Sequence, residues 1–279
     1  MSLRSRFRAT VSAVIADVKR PPWVPAGHYY SARPSASDVQ RALVTTRAPA
    51  GIDLRADDQV RLAGELNLSM PPERRWTATG QSMFMEGDAA ILRAMLIRFK
   101  PARLMEIGSG LSTAMALDVS DDNLPTLHIT CIEPHPERLR SRLRPGDEKH
   151  LALIERQVQA LSPEELVSGL EPGDFFFIDS THVVKAGSDV VWLFLHTLPL
   201  LPPGVIVHVH DIFWPFEYLD DWLREGREWT EIYLLQAFLM YNSDWEILLF
   251  GSWLWHEHPE LVPADLAASK PGSIWLRRR

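Results

Sequence analysis

Five short apolar runs, separated by segments with helical spacing, constrain the fold of this 279-residue chain most strongly. The runs are RLMEI (103–107), LHITCIE (127–133), LALI (151–154), DFFFID (174–179) and GVIVHVHD (204–211). Runs that are apolar at consecutive positions are typical of parallel strands covered by helices on both faces. Two more runs follow, WEILLFGS (245–252) and GSIWLRR (272–278). We therefore predict an α/β fold with a doubly wound, mostly parallel seven-stranded sheet.

The part of the chain before the first run differs in character. Residues 4–19 have the spacing of an amphipathic helix, and the prolines of PPWVPAGHYYSARPS favour extended or turn conformations. We predict a helical N-terminal extension over residues 1–80 and a second domain over residues 81–279.

Two helical patterns lie within the predicted second domain. The segment EGDAAILRAMLIRFKP predicts a helix that begins at residue 86 and ends before Pro101. The segment YLDDWLREGREWTEIYLLQAFLMYN predicts a long helical stretch over residues 218–242, after the fifth strand.

Composition excludes several functional classes. The net charge of −7 and the pI near 5.8 argue against a nucleic-acid-binding protein.

The single cysteine, Cys131, lies in an apolar run, so we predict a buried strand residue and no intrachain disulfide. We find neither a membrane-spanning run nor a signal peptide and expect a cytoplasmic protein. The ten tryptophans leave room for a homo-oligomer.

The first strand ends in MEIGSGLST, which predicts a ligand site. Gly108 and Gly110 let the backbone turn tightly and approach a ligand. A dinucleotide fingerprint needs a third glycine where this chain has Thr113, and the preceding acid, Glu106, would repel a pyrophosphate but suit a cationic amine. Glu133 ends the second strand, where an acid accepts hydrogen bonds from ribose hydroxyls. These features favour S-adenosylmethionine over NAD.

Four segments together resemble a known family. The segments MEIGSGLSTAMALD, CIEPHPERL, GDFFFIDSTHVVKAGSDV and LLPPGVIVHVHDI resemble successive motifs of class I S-adenosylmethionine-dependent methyltransferases. They are most similar to a bacterial branch with E-I-G-S-G-x-S-T, I-D-S/G-x-H and H-D motifs. The resemblance covers about residues 80 to 279. One position departs from the common motif, because Ser112 stands where many methyltransferases have a third glycine. The resemblance implies O-methylation of a small molecule or sugar. It also implies that the N-terminal extension, through His28, Tyr29 and Tyr30, covers the pocket as a lid.

The resemblance also implies which residues bind the cofactor. Glu106, Gly108, Ser109 and Gly110 match the methionine end of the site. Glu133 matches the ribose contact, Pro134 and His135 flank the adenine, and Gln159 occupies the place of a residue at the adenine edge. Many methyltransferases have an acid at that last position.

Groups for the chemistry are expected at the ends of the fourth and fifth strands. Asp179 and His182 follow the fourth strand, and His210 and Asp211 follow the fifth. Because imidazole has a pKa near 6.5, His182 and His210 are candidates for the general base, with Asp211 as a further candidate. His208 lies inside the strand, where we predict a hydrogen-bonded core histidine.

A metal ion is an alternative role for these strand ends. Related sugar and catechol O-methyltransferases bind Mg²⁺ there through carboxylates, and Asp179 and Asp211 match two of those positions. His210 stands where a third oxygen ligand is expected, and imidazole is a poor ligand for Mg²⁺. A magnesium site is therefore left open but not favoured.

Two other functional classes remain as alternatives. An NAD-dependent oxidoreductase would need the third glycine and a proton donor such as Tyr-x-x-x-Lys, neither of which we find. A non-catalytic cofactor-binding or scaffold protein predicts a blocked pocket at Asp179 and His210.

Overall fold

The computed structural model describes residues 22–45, 49–81 and 83–279, which fall into two compact units. The smaller unit contains the residues up to Thr46 together with Leu223–Glu228, and the larger contains Arg47–Trp222 and Trp229–Arg279. The helix predicted over residues 4–19 lies outside the described residues. The predicted extension 1–80 is thus shared between the two units, and its role as a lid stays a prediction.

The smaller unit contains helix α1, Ala36–Val44. Ser35 begins this helix with a capping box, since its hydroxyl accepts a hydrogen bond from the Asp38 N–H while the Asp38 carboxylate accepts one from the Ser35 N–H. Such reciprocal bonds satisfy amide groups that have no partner within the helix.

The larger unit is built on a seven-stranded sheet in the order β3-β2-β1-β4-β5-β7-β6. The strands are β1 Arg103–Ile107, β2 His128–Ile132, β3 Leu151–Ile154, β4 Phe175–Ile178, β5 Ile206–His210, β6 Trp245–Phe250 and β7 Ser273–Arg278. Strands β1 to β5 are parallel, and β7 pairs antiparallel with both β5 and β6. The predicted fold class is confirmed, and each predicted apolar run contains one strand.

Helices connect and cover these strands. They are α2 Ala56–Glu65, α3 Glu86–Phe99, α4 Leu111–Asp122, α5 Glu137–Arg140, α6 Pro163–Val167, α7 Asp189–Trp192, α8 Asp220–Glu225, α9 Glu231–Leu239 and α10 Gly251–Glu257. Helix α7 continues as a π-helical turn, Leu193–Thr197, and a 3₁₀ turn, Leu198–Leu200. Further 3₁₀ turns are Asp147–Lys149, Val158–Ala160 and Pro259–Leu261. None of the described helices combines the length and apolar character needed to cross a membrane.

Two helical predictions have different outcomes. Helix α3 begins at Glu86 as predicted and ends at Phe99, because Lys100 adopts a left-handed conformation directly before Pro101. The predicted stretch over residues 218–242 instead forms two helices, α8 and α9. Gly226, with φ of 79°, follows the end of α8 and leaves the helical conformation.

The segment before α3 is held to the sheet unit by a buried ion-pair cluster. The guanidinium of Arg75 lies 3.0 Å from Asp118, 2.7 Å from Asp121 and 2.5 Å from Asp147. The side chains of Arg75, Asp118 and Asp147 are almost completely buried. Buried charges are stable only when paired and hydrogen-bonded, so this cluster depends on all its members.

Strand β1 lies between β2 and β4, where the strand order reverses direction. The Gly108 N–H donates to the carbonyl of Ile132, and the Asp179 N–H donates to the carbonyl of Ile107. These bonds, 3.0 and 2.9 Å long, join the ends of three strands just beyond the sheet. Doubly wound sheets bind ligands in the crevice at such a reversal.

Candidate active site

Two adjoining cavities lie at the carboxyl ends of the parallel strands. The larger, about 520 Å³, is termed the β2 cavity and is lined by residues that include Glu133, Pro134, His135, Gln159 and Lys185. The smaller, about 300 Å³, is termed the β5 cavity and is lined by residues that include Ser109, His182, His210, Asp211 and Trp229. Both walls contain Gly108, Glu133, Asp179, Ser180 and Thr181, so the two cavities meet at the ends of β1, β2 and β4.

The turn between β1 and α4 depends on glycine. Gly108 has φ of 97°, and a Cβ at this position would lie 2.4 Å from the carbonyl oxygen of Asp179. Gly110 also has a positive φ, and its N–H donates to Oγ1 of Thr113 at 3.1 Å. The hydroxyl of Ser109 is buried and has no hydrogen-bond partner among the described residues. Since Ser109 lines the β5 cavity, this hydroxyl is available to a ligand.

Glu106 lies beneath this turn, with 1% of its surface exposed. One carboxylate oxygen accepts hydrogen bonds from Thr113 Oγ1 at 2.7 Å and from Cys131 Sγ at 3.2 Å, and the other accepts one from Ser112. Burial raises the pKa of Glu106 to about 7, although these hydrogen bonds oppose the shift. Glu106 lines neither cavity, so its contact with a cofactor stays a prediction. The predicted burial of Cys131 is confirmed.

The four residues predicted for the ribose and adenine lie together in the wall of the β2 cavity. Glu133 borders both cavities, and its carboxylate accepts a hydrogen bond from the His135 N–H at 2.6 Å. Pro134 and His135 follow it with exposed side chains. Gln159 donates from Nε2 to the carbonyl of Gly187 at 3.1 Å. This wall therefore offers carboxylate and amide acceptors beside exposed ring surfaces.

The four residues predicted for the chemistry converge on the β5 cavity. Nε2 of His182 lies 3.5 Å from Oδ1 of Asp179 and 3.6 Å from Oδ2 of Asp211. Nε2 of His210 lies 3.7 Å from Oδ1 of Asp211. Two carboxylates and two imidazoles from the ends of β4 and β5 thus surround one small space.

His182 is held by contacts on every side. Its Nδ1 lies 2.8 Å from Oε2 of Glu231, a residue with no exposed surface. Its backbone N–H donates to Oγ of Ser180 at 3.2 Å, and its carbonyl accepts from the N–H groups of Thr230 and Glu231. The ring centroid of Trp229 lies 4.3 Å from that of the imidazole. These contacts hold His182 in a left-handed conformation with φ of 61°.

The carboxylates shift the protonation of both histidines. Burial lowers the pKa of His182, but its hydrogen bonds with Asp179 and Glu231 outweigh burial and raise the pKa well above 6.5. Burial also opposes the charged form of His210, yet the charges of Asp211, Asp88 and Asp179 raise its pKa. At both positions the carboxylates thus stabilise the imidazolium form relative to a free imidazole.

His208 differs from these two histidines. It lies in the core, as predicted, with its ring stacked 3.8 Å from that of Phe177. Neither ring nitrogen has a hydrogen-bond partner among the described residues, so the expected hydrogen bonding is absent. Burial holds the pKa of His208 well below 6.5 and keeps its ring neutral.

Three residues of the site were missed by sequence reasoning. Ser180 lies inside the IDSTH motif, but serine has several ordinary roles in a loop. Glu231 and Trp229 lie 51 and 49 residues beyond Ser180 in the sequence. The only sequence signal for Glu231 is an acid in the first turn of α9, which is common because of the helix dipole.

The side chains present do not fit a magnesium site. Asp179 and Asp211 occupy the predicted strand ends, but the imidazole of His182 lies between their carboxylates. In the part of the chain that the structure describes, no group of three or more His, Cys, Asp or Glu side chains is arranged to hold a metal ion. Mg²⁺ prefers near-octahedral oxygen ligands, which this arrangement does not supply.

Parts of the chain are similar to a known family and to a known protein. Residues 105–212 match the family described as a methyltransferase domain. A segment of 129 residues is 30% identical to an uncharacterised protein from Archaeoglobus fulgidus and covers 40% of this chain. The match spans 58% of that relative's length.

Solved structures with a similar architecture are distant in sequence. The S-adenosylhomocysteine-bound methyltransferase PaMTH1 from Podospora anserina is 18% identical with a TM-score of 0.49, and the match covers 85% of this chain and 100% of that one. The O-methyltransferase TomG from Streptomyces achromogenes is 17% identical with a TM-score of 0.44, and the match covers 87% and 95% of the two chains.

Proposed function

We propose that this chain, in which residues 105–212 match a methyltransferase-domain family, transfers a methyl group from S-adenosylmethionine to an oxygen of a small molecule or sugar. One observation carries the proposal. Gly108 and Ser109 of the turn after β1 line the β5 cavity together with Asp179, His182 and Asp211. A cofactor-binding surface and a proton-accepting cluster are thus adjacent.

The β2 cavity is proposed to hold the nucleoside. Glu133 accepts hydrogen bonds from the ribose hydroxyls, while Pro134, His135 and Gln159 enclose the adenine. Gly108, Ser109 and Gly110 lie beside the methionine part, and the free hydroxyl of Ser109 supports this assignment. Glu106 maintains the turn from beneath through its bonds with Ser112 and Thr113.

The β5 cavity is proposed to hold the acceptor. When S-adenosylmethionine is bound, its sulfonium supplies an electrophilic methyl group. Asp179 and Asp211 accept hydrogen bonds from the acceptor and orient one hydroxyl toward that methyl group. Nε2 of His182 takes the hydroxyl proton, with His210 beside Asp211 as the second candidate base.

The acceptor preference follows from the polarity of this cavity. Two carboxylates and two imidazoles can bind several hydroxyl groups at once, and Trp229 adds an aromatic wall. Polyhydroxylated molecules offer both adjacent hydroxyls and an apolar ring face. We therefore propose a sugar or a polyhydroxylated small molecule in preference to a simple phenol.

The alternatives predict different sites. A non-catalytic scaffold predicts a blocked pocket at Asp179 and His210, whereas both residues line an open cavity. An NAD-dependent oxidoreductase predicts a turn built for a pyrophosphate, and Thr113 stands at the third glycine position. The cytoplasmic location and a homo-oligomeric state stay predictions.

The proposal is tested by incubating the protein with methyl-labelled S-adenosylmethionine and panels of sugars, glycans and phenols, each with and without EDTA. We expect label transfer to at least one hydroxylated acceptor, with loss of transfer in the Asp211→Asn variant. Transfer that requires a divalent metal would contradict the metal-free arrangement of side chains. Cofactor binding without transfer to any acceptor would favour the scaffold alternative.

A further inference from the structure

We propose that Glu231 is a positioning residue that fixes the His182 imidazole with Nε2 toward the acceptor and makes His182 the base of the reaction. The inference rests on the proposed methyl transfer, because it assigns how one residue of that site is prepared for its role. Glu231 lies on α9, outside the motifs of the strand ends, and lines neither cavity.

Three residues form a closed ring of hydrogen bonds. The Ser180 hydroxyl donates to Oε1 of Glu231 at 3.0 Å, and Oε2 of Glu231 lies 2.8 Å from Nδ1 of His182. The His182 N–H donates back to the Ser180 hydroxyl at 3.2 Å. Burial raises the pKa of Glu231 while its contacts with His182 and Ser180 lower it. In its ionised form this carboxylate can only accept, so Nδ1 then carries a hydrogen. Nε2 is then the one ring nitrogen of His182 that can exchange a proton with the acceptor.

The backbone supports the same arrangement. The His182 carbonyl accepts hydrogen bonds from the N–H groups of Thr230 and Glu231, at the first turn of α9. His182 has φ of 61°, a conformation that residues with a side chain rarely adopt unless their surroundings impose it. The start of α9 therefore holds both the main chain and the side chain of His182.

The carboxylates around His182 also make its imidazole a stronger base. Asp179 and Asp211 face it from the ends of β4 and β5, and Glu231 faces it from α9. His210 and Arg138 are cationic groups that line the same cavity, but the carboxylates outweigh them, since the pKa of His182 is raised well above 6.5. Burial alone would have the opposite effect. A stronger base suits an alcohol, whose hydroxyl is a weak acid.

The proposed methyl transfer is a displacement at the methyl carbon. The acceptor oxygen forms a bond to the methyl carbon while the carbon–sulfur bond breaks, and the electron pair of that bond stays on the sulfur. The hydroxyl proton moves to Nε2 of His182, which must be unprotonated beforehand. The rate should therefore rise with pH until it levels off above the pKa of His182. The positive sulfonium favours the neutral imidazole once the cofactor is present.

The test is an NMR titration of the imidazoles in the full-length protein, which needs no acceptor. Signals of His182 are assigned by their loss in His182→Asn. In the unaltered protein we expect a hydrogen on Nδ1 in the neutral form and an elevated pKa. In Glu231→Gln we expect the pKa of His182 to fall by about one unit or more.

A matched control is Glu217→Gln, which alters a nearby carboxylate whose partner is the Tyr233 hydroxyl. It should leave the His182 titration unchanged. If Glu231→Gln does not fold, Ser180→Ala replaces it and should lower the same pKa by a smaller amount. With an acceptor in hand, Glu231→Gln should reduce kcat at least tenfold and move the pH profile to lower pH, with KM little changed.

Different results would overturn the role of Glu231 and the proposed methyl transfer. An unchanged pKa and tautomer of His182 in Glu231→Gln would overturn the role of Glu231 even if methyl transfer persists. Failure of the unaltered protein to bind S-adenosylhomocysteine would overturn the proposed function, whatever the titration of His182 shows.

Discussion

A Cβ at Gly108 would lie 2.4 Å from the carbonyl oxygen of Asp179. The residues that follow β1 and β4 can therefore pack this closely only because residue 108 is glycine. The contact joins the turn proposed for the cofactor to the strand end proposed for the acceptor. Both halves of the site therefore depend on one backbone approach.

Gly108→Ala should disrupt both halves of the site. The added methyl group must displace the backbone at Asp179, and φ of 97° is unfavourable for alanine. We expect a loss of about 2 kcal/mol or more in the free energy of unfolding and loss of S-adenosylhomocysteine binding. Gly173→Ala is the control, since φ is 93° there but no atom lies within 4 Å of an added Cβ. Equal effects of the two substitutions in denaturation and calorimetry would argue against the close contact as the cause.

Glu106→Gln should change how stability depends on pH. Glu106 has an ordinary pKa of 4.5 and a pKa of about 7 in the fold, so between these values the folded protein holds a proton that the unfolded chain has lost. Its contribution is thus complete below pH 4.5 and is lost as pH rises through about 7. The shift corresponds to roughly 3 kcal/mol.

The measurement compares urea unfolding of both proteins from pH 4 to pH 9. Glutamine does not titrate, so we expect Glu106→Gln to gain stability relative to the unaltered protein as pH rises. A constant difference across this range would show that Glu106 titrates normally.

Arg75→Ala should destabilise the fold strongly. It leaves the buried carboxylates of Asp118 and Asp147 without their cation, and breaking a buried ion pair costs about 3–5 kcal/mol. The neighbouring Arg74 pairs with Asp122 at the surface, so Arg74→Ala should cost less than about 1 kcal/mol. Chemical denaturation distinguishes the two. Similar losses for both variants would be inconsistent with the buried cluster.

Glu133→Gln should weaken cofactor binding without destabilising the fold. Glu133 borders both cavities, and hydrogen bonds to a charged group contribute about 1.5–3 kcal/mol. We expect the affinity for S-adenosylhomocysteine to fall roughly ten- to a hundredfold. Glu155→Gln is the control, because Glu155 follows β3 in the same way but pairs with Arg140 at the surface. An undiminished affinity in Glu133→Gln would remove the proposed ribose contact.

The fold could be predicted because its strands are apolar runs, and β4, β5 and β6 are buried along their whole length. Runs such as FFFI in β4 and IVHVH in β5 are apolar at nearly consecutive positions, and every residue in them is buried. Their boundaries differ from the predicted ones by one or two residues, since strand-end residues join loops. The break between α8 and α9 escaped prediction because the apolar spacing continues across Gly226.

The site could be predicted only where its residues sit in sequence motifs. Asp179, His182, His210 and Asp211 lie at or shortly after the ends of β4 and β5, which a parallel sheet brings together. The Glu231 contact depends on the path of the chain after β5, which no local pattern specifies. The burial of Glu106 could not be predicted from the sequence either, because an acid at a strand end can point toward a ligand or beneath the turn.

Isothermal titration calorimetry of the unaltered protein with S-adenosylhomocysteine and with NAD tests the central claim most directly. We predict micromolar binding of S-adenosylhomocysteine and no detectable binding of NAD, because the turn at Gly108 lacks the third glycine and is flanked by Glu106 and Glu133. Binding of NAD with no binding of S-adenosylhomocysteine would contradict the account.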